Sequence, residues 1–153
     1  IPAKSDSRSQ ELSDKARETL NTMDKLLDSC HFQKAIKSAM SLAHETNRYL
    51  DETSPWKTIK EDKQAASNSL YTAICIISNL KTVLYPFLPF SSQKLHEYLG
   101  FEGRVEADGW QPHFPPPGQK LLPPQPLFTK LDEELAEKET SRLGHAFTNS
   151  SDN

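Results

Sequence analysis

The sequence has 153 residues, the size of one domain with room for a single core. It is 35% hydrophobic and 25% charged, with a net charge of −3 that argues against a non-specific nucleic-acid binder. No apolar run approaches the roughly 18 residues that span a bilayer, and the N-terminal IPAKSDSRSQE lacks the layout of a secretion signal. A cytoplasmic location with no membrane partner is therefore expected, and the missing initiator Met suggests that the chain starts inside a longer protein.

The acids are unevenly placed. Asp132, Glu133, Glu134, Glu137, Glu139 and Asp152 face only Lys138 and Arg142 beyond residue 130, which leaves the body near neutral. Such a body can bind RNA only through a local patch. Cys30 and Cys75 have no C-x-x-C spacing, so they read as buried, reduced core residues. His31, His44, His96, His113 and His145 are scattered. No metal site and no cofactor is expected within this chain.

In the first helix Leu12, Ala16, Leu20, Met23, Leu27 and Cys30 recur at three- and four-residue spacing. The second runs from about Phe32 to Glu52 with a stripe of Phe32, Ile36, Met40, Ala43 and Leu50, and it folds back on the first as an antiparallel hairpin. Asn47 falls on that stripe and reads as a buried amide bonded to backbone. Ser54-Pro55 ends the helix, because a residue before proline is pushed out of the α region. A turn with Trp56 at its tip follows.

The third helix, from near Asp62 to about Tyr85, is apolar on most sides and is placed at the centre. Pro86 and Pro89 stop it, and Ser91 or Ser92 is expected to cap a fourth helix closed by Gly100. Residues 101–130 are proline-rich (Pro112, Pro115, Pro116, Pro117, Pro123, Pro124, Pro126) and read as an extended strap packing back on the core. Its apolar anchors are Trp110, Phe114, Leu121, Leu122, Leu127 and Phe128. Residues 131–153 read as a charged C-terminal helix and frayed tail. The fold class is all-α: an antiparallel helical bundle over 1–100, the strap, and a short final helix.

No catalytic residue is identified. The sequence lacks GxGxxG, GxxxxGK[ST] and GxSxG motifs, and all five glycines lie after the bundle. An all-helical domain without such a site is a binding module. The informative stretch is NRYLDETSPWKTIK, which puts an indole on a turn beside Lys57, Lys60 and Lys63. Lys37, Ser41, His44 and Arg48 form a polar stripe leading to it. An exposed aromatic bordered by bases can stack a splayed RNA base. The plainer reading folds Trp56 back as a core plug with a solvated lysine rim.

NRYLDETSPWKTIK resembles the N-x-Y-[LV]-D-x-x-x-P-W segment of the anticodon-binding domain of methionyl-tRNA synthetases, which are class I aminoacyl-tRNA synthetases. LKTVLYPFLPFSSQKLHEYLG is similar to the next helix pair of that domain, and PLFTKLD to the segment that closes its core. The resemblance covers about residues 10–135. It implies recognition of the CAU anticodon of methionine tRNA, with Trp56 stacking on the first anticodon base; Arg48, Lys57 and Lys60, by their charge, are expected to position phosphates. Asn47, Asp51 and Pro55 are supporting residues, with Arg48 pairing either a phosphate or Asp51.

The family's base-reading asparagine and arginine are expected before Ile1. Its ATP- and Mg-dependent ligation of methionine belongs to a catalytic domain absent from this sequence, which would be a second partner besides methionine tRNA. Two rival readings are the anticodon domain of another class I synthetase and a helical protein-interaction scaffold.

Overall fold

The computed structural model describes residues 7–116, 118–129 and 133–146. Leu12, Ala16, Leu20 and Met23 form the buried face of α1 (Ser7–Asp28), joined by Thr19. The helix closes with Cys30 N–H on the Leu27 carbonyl and His31 N–H on the Leu26 carbonyl. That closure holds Cys30 at φ +57 and exposed, which corrects its reading as a core residue. The apolar stripe ends a turn earlier, and the left-handed position past the helix end lies outside it. Cys75 is half-buried.

The second helix, α2 (Phe32–Thr53), has the expected bounds but a rotated face. Ala35, Ala39, Leu42, Thr46 and Tyr49 are buried, whereas Phe32, Ile36, Met40 and Asn47 are exposed. The stripe was misplaced by about one residue, or 100° of helix. Its spacing fitted both faces, and bulk favoured the wrong one. The alanines let neighbouring helices approach closely, which Phe32 and Ile36 would prevent. α1 and α2 run antiparallel: near one end Ser9 Oγ is 2.8 Å from the buried Tyr49 hydroxyl, and Arg8 donates to Glu52 at 3.1 Å.

A one-turn helix, α3 (Pro55–Thr58), replaces the expected simple turn. The Asp62 carboxylate then accepts from the Gln64 and Ala65 amides, both at 2.9 Å, and starts α4 (Lys63–Leu84). α4 packs against all three preceding helices and against α5 (Pro89–Tyr98), so it is the central one. Neither Ser91 nor Ser92 caps α5. Pro89 begins it, its fixed φ suiting the first turn, and Ser92 is buried. Gly100, at φ +79, ends it: a Cβ there would sit 2.4 Å from the Lys120 carbonyl oxygen.

That close approach belongs to the segment after α5. Leu122 N–H donates to the Tyr98 carbonyl at 2.9 Å and Gln119 Nε2 to the Leu99 carbonyl at 2.8 Å. Nearer its start, Ser78 Oγ donates to the His113 carbonyl and Trp110 packs on the core. Val105, in a 3₁₀ turn (Val105–Asp108), is buried. The anchors are therefore Val105, Trp110 and Pro115; Phe114, Leu121, Leu122 and Phe128, expected to dock, are exposed, and Leu127 is half-buried.

A buried ion pair lies under this segment. The fully buried Lys81 ammonium of α4 donates to Asp108 Oδ2 at 2.8 Å, lies 3.0 Å from His96 Nδ1, and sits 4.4 Å above the Phe101 ring centroid. His96 Nε2 faces the Glu102 carbonyl, which leaves Nδ1 to accept from the ammonium. His113 Nδ1 reaches Asp108 Oδ2 at 2.6 Å. Burial pushes the Lys81 pKa down, and Asp108 only partly restores it. Burial pushes Asp108 up, but Lys81 and His113 outweigh it and hold the carboxyl below its ordinary value. Lastly, α6 (Glu133–Ala146) is a charged helix. Residues 147–153, expected to fray, lie outside the described residues.

Candidate nucleic-acid interface

The site is built on the junction between α2 and α3. Ser54 adopts φ +40, ψ +57, a left-handed conformation that a side chain disfavours and that is unusual before proline. Its neighbours over-determine it. Ser54 N–H donates to the Leu50 carbonyl at 2.9 Å and Ser54 Oγ to the Asp51 carbonyl at 2.8 Å. Thr53 Oγ1 donates to the Tyr49 carbonyl, and Thr58 Oγ1 reaches back to the Thr53 carbonyl, both at 2.8 Å. The Ser54 and Thr58 hydroxyls thus satisfy the helix-end carbonyls of Asp51 and Thr53, which water would otherwise solvate, while Thr53 Oγ1 bonds back within α2. Pro55 is buried beneath the turn.

On this support Trp56 is 54% exposed. The indole is neither a core plug nor fully free, and part of its surface remains open to solvent. Lys57 and Lys60 are exposed on the same short segment. A groove of about 360 Å³ opens beside it, lined by Ile59, Lys63, Ser67, Leu70, Tyr71 and Ile74. Ile59 and Leu70 are both exposed, although Leu70 belongs to the apolar set by which the central helix was recognised.

Arg48 is exposed, but its partners differ from the expected Asp51. It donates to Glu45 Oε2 at 2.6 Å and lies 3.6 Å from Glu52 Oε1. Arg8 joins the same carboxylates from α1 at 3.5 and 3.1 Å, and Lys15 lies 3.8 Å from Glu45. The hydrogen bond to Glu52 pushes the Arg8 guanidinium above its ordinary value. Asp51 is also three residues from Arg48, so helical spacing alone does not decide; Glu45 and Glu52 lie on the side of α2 that meets Arg8 of α1. Asp51 is exposed and contributes its backbone carbonyl to the turn. Asn47, expected to be buried, is also exposed, because the rotation of α2 carries it outward.

The structure therefore brings Trp56, Lys57 and Lys60 together on one clasped turn, with Arg48 committed to carboxylates on the adjoining helix. The sequence reading missed the clasp hydroxyls of Ser54 and Thr58. Their signal was S-P-x-x-T, two hydroxyl residues around a helix-ending proline. Nor does it assign a role to Lys81, the centre of the buried network. Among the described residues no helix is long and apolar enough to cross a membrane, and no cluster of three His, Cys, Asp or Glu is placed to hold a metal.

Among the described residues the domain is helical and displays an aromatic on a clasped turn followed by two exposed lysines, an arrangement suited to binding. The comparisons with known proteins narrow that reading. The sequence profile described as "Anticodon binding domain of methionyl tRNA ligase" matches residues 1–147. Methionine–tRNA ligase of Dehalococcoides mccartyi strain 195 is 52% identical over 133 residues, 87% of this chain and 24% of the relative. That of Chloroflexus aurantiacus is 41% identical over 150 residues, covering 81% of this chain and 25% of the relative. Apo methionyl-tRNA synthetase of Mycobacterium tuberculosis shares the fold at a TM-score of 0.79 and 20% identity, over 86% of this chain and 27% of that one.

The chain belongs to the family of anticodon-binding domains of methionyl-tRNA ligases. It spans about a quarter of the length of the curated relatives it matches.

Proposed function

We propose that this domain reads the CAU anticodon of methionine tRNA, with Trp56 as the face on which the first anticodon base stacks. The observation that carries this reading is the half-exposed indole on a turn whose backbone is held by the Ser54 and Thr58 hydroxyls and a buried proline. A stacking platform must be exposed yet fixed, because every base has a π-face and ordering a floppy ring costs affinity. Lys57 and Lys60 supply phosphate charge, which positions the RNA without reading its sequence. Arg48 enters less directly, since an RNA phosphate would have to compete with Glu45 and Glu52 for it.

In the full-length protein the domain would serve a ligase that joins methionine to tRNA with ATP, and that chemistry belongs to a different part of the polypeptide. A cognate anticodon held here would fix the tRNA for its acceptor end to reach that part. The test is binding of a 17-nucleotide CAU anticodon stem-loop and of the same stem with a permuted loop, at several salt concentrations. A CAU preference that persists as affinity falls with salt supports the reading. Equal affinity for the two loops, or salt-insensitive binding, favours a protein-interaction scaffold instead.

A further inference from the structure

We propose that Thr58 is a positioning residue for Trp56, and that its hydroxyl, with Ser54 in its left-handed conformation, sets the direction in which the indole is offered. This inference rests on the reading of Trp56 as the stacking face and adds a residue that acts through it.

The chain must reverse between α2 and α4 within a few residues, and a glycine at position 54 would allow that without conformational cost. Ser54 stands there instead, at φ +40 and directly before proline. A strained residue persists where its surroundings over-determine it, and such residues cluster at functional sites. The surroundings here are specific. The Ser54 carbonyl accepts from Lys57 N–H at 2.8 Å and Thr58 N–H at 3.0 Å, with Thr58 Oγ1 3.2 Å away. Thr58 Oγ1 also donates at 2.8 Å to the Thr53 carbonyl, the last of α2.

Thr58 therefore closes a loop around Pro55, Trp56 and Lys57 by bonding to the residues on the other side of them. Backbone bonds alone would tether α3 only through the Ser54 and Pro55 carbonyls, where Ile59 N–H meets Pro55 at 3.0 Å. Among the hydrogen bonds of the described residues, the hydroxyl adds the link from α3 itself back to α2. Without it α3 stays packed on α4 but loses its hold on α2, and the ring then samples a wider range of directions, of which one suits a stacked base. The effect falls on the free state, so affinity is lost through ordering and not through a lost RNA contact.

The test uses Trp110→Phe as the parent, which leaves Trp56 as the only tryptophan, and adds Thr58→Val, Thr58→Ser and Trp56→Ala. Three quantities are read: time-resolved anisotropy of Trp56, affinity for the 17-nucleotide CAU stem-loop, and helix content with melting midpoint. Thr58→Val keeps the shape and loses the donor. It is expected to increase the fast local motion of Trp56 and weaken binding roughly 2- to 10-fold, the range for immobilising one loosened side chain. Thr58→Ser restores both. Binding is measured well below each melting midpoint. A Thr58→Val loss that tracks lost helix content, or that serine does not rescue, overturns the proposal. So does parental binding by Thr58→Val while Trp56→Ala binds weakly, which leaves the stacking reading standing. Parental binding by Trp56→Ala overturns the stacking reading itself.

Discussion

The two ends of α4 solve opposite problems. Before its N-terminus the chain uses backbone strain and two hydroxyls to keep an aromatic ring in solvent. Toward its C-terminus, roughly 27 Å away from Lys63 to Lys81 at 1.5 Å per residue, it buries an ammonium and covers it with the segment carrying Asp108 and Trp110. The first end holds surface open; the second closes it. Substitutions at the two ends should accordingly separate, with binding lost at one and stability at the other.

The largest effect is expected at the closed end. Asp108→Ala leaves the Lys81 ammonium buried without its counter-charge, and breaking such a pair from one side costs about 3–5 kcal/mol. Lys81→Met should cost less, because Asp108 lies nearer the surface and still faces His113. Chemical denaturation of both variants checks the order, and equal losses would mean that the ammonium is not the costly partner.

The same pair sets a pH dependence. The Asp108 pKa is lowered on folding, so its contribution is fully present above the ordinary carboxylate value and lost as pH falls through the folded one. The Lys81 pKa is also lowered, so the folded state binds that proton more weakly and stability rises with pH toward the ordinary lysine value. Melting midpoints should fall at the acid end and rise into the alkaline range. In Lys81→Met the alkaline rise should disappear.

Smaller effects come from two helix ends. Gly100→Ala places a side chain at φ +79 against the Lys120 carbonyl. The left-handed backbone alone costs roughly 1–2 kcal/mol, and displacement of the Lys120 segment adds to it. Loss of amide protection at Leu122, whose N–H bonds Tyr98, would accompany the change. Cys30→Gly runs the other way. Cys30 holds φ +57 with an exposed side chain, so glycine relieves strain and sacrifices little packing, for a gain of up to about 1 kcal/mol after its greater unfolded freedom. An unchanged or lowered melting midpoint would contradict this.

How far the sequence spoke depended on whether local chemistry decided the outcome. The bounds of α2 and α4 were legible because Pro55, Asp62 and Pro86 act within a turn of themselves. The face of α2 was not, since Ala35 and Ala39 are buried for their smallness and only the neighbouring helices reveal that. Trp56, Lys57 and Lys60 could be named from their order along the chain. The partners of Arg48 required knowing that α1 returns Arg8 to the end of α2. Lys81 was illegible for a related reason. Its counter-ion lies 27 residues away, past two helix ends, and no spacing rule links the two.

The central claim is that Trp56, and not the chain's other tryptophan, carries anticodon recognition. The direct measurement is the ratio of affinities for CAU and permuted-loop stem-loops in the parent chain, Trp56→Ala and Trp110→Ala. Loss of a stacked base costs about 1–3 kcal/mol, so Trp56→Ala should lose most of its CAU preference while its melting midpoint changes little. Trp110 packs on the core, its Nε1 without a partner among the described residues, so Trp110→Ala should melt earlier and keep the parental ratio. Full CAU preference in Trp56→Ala, beside an anticodon-specific loss in Trp110→Ala, would contradict the account.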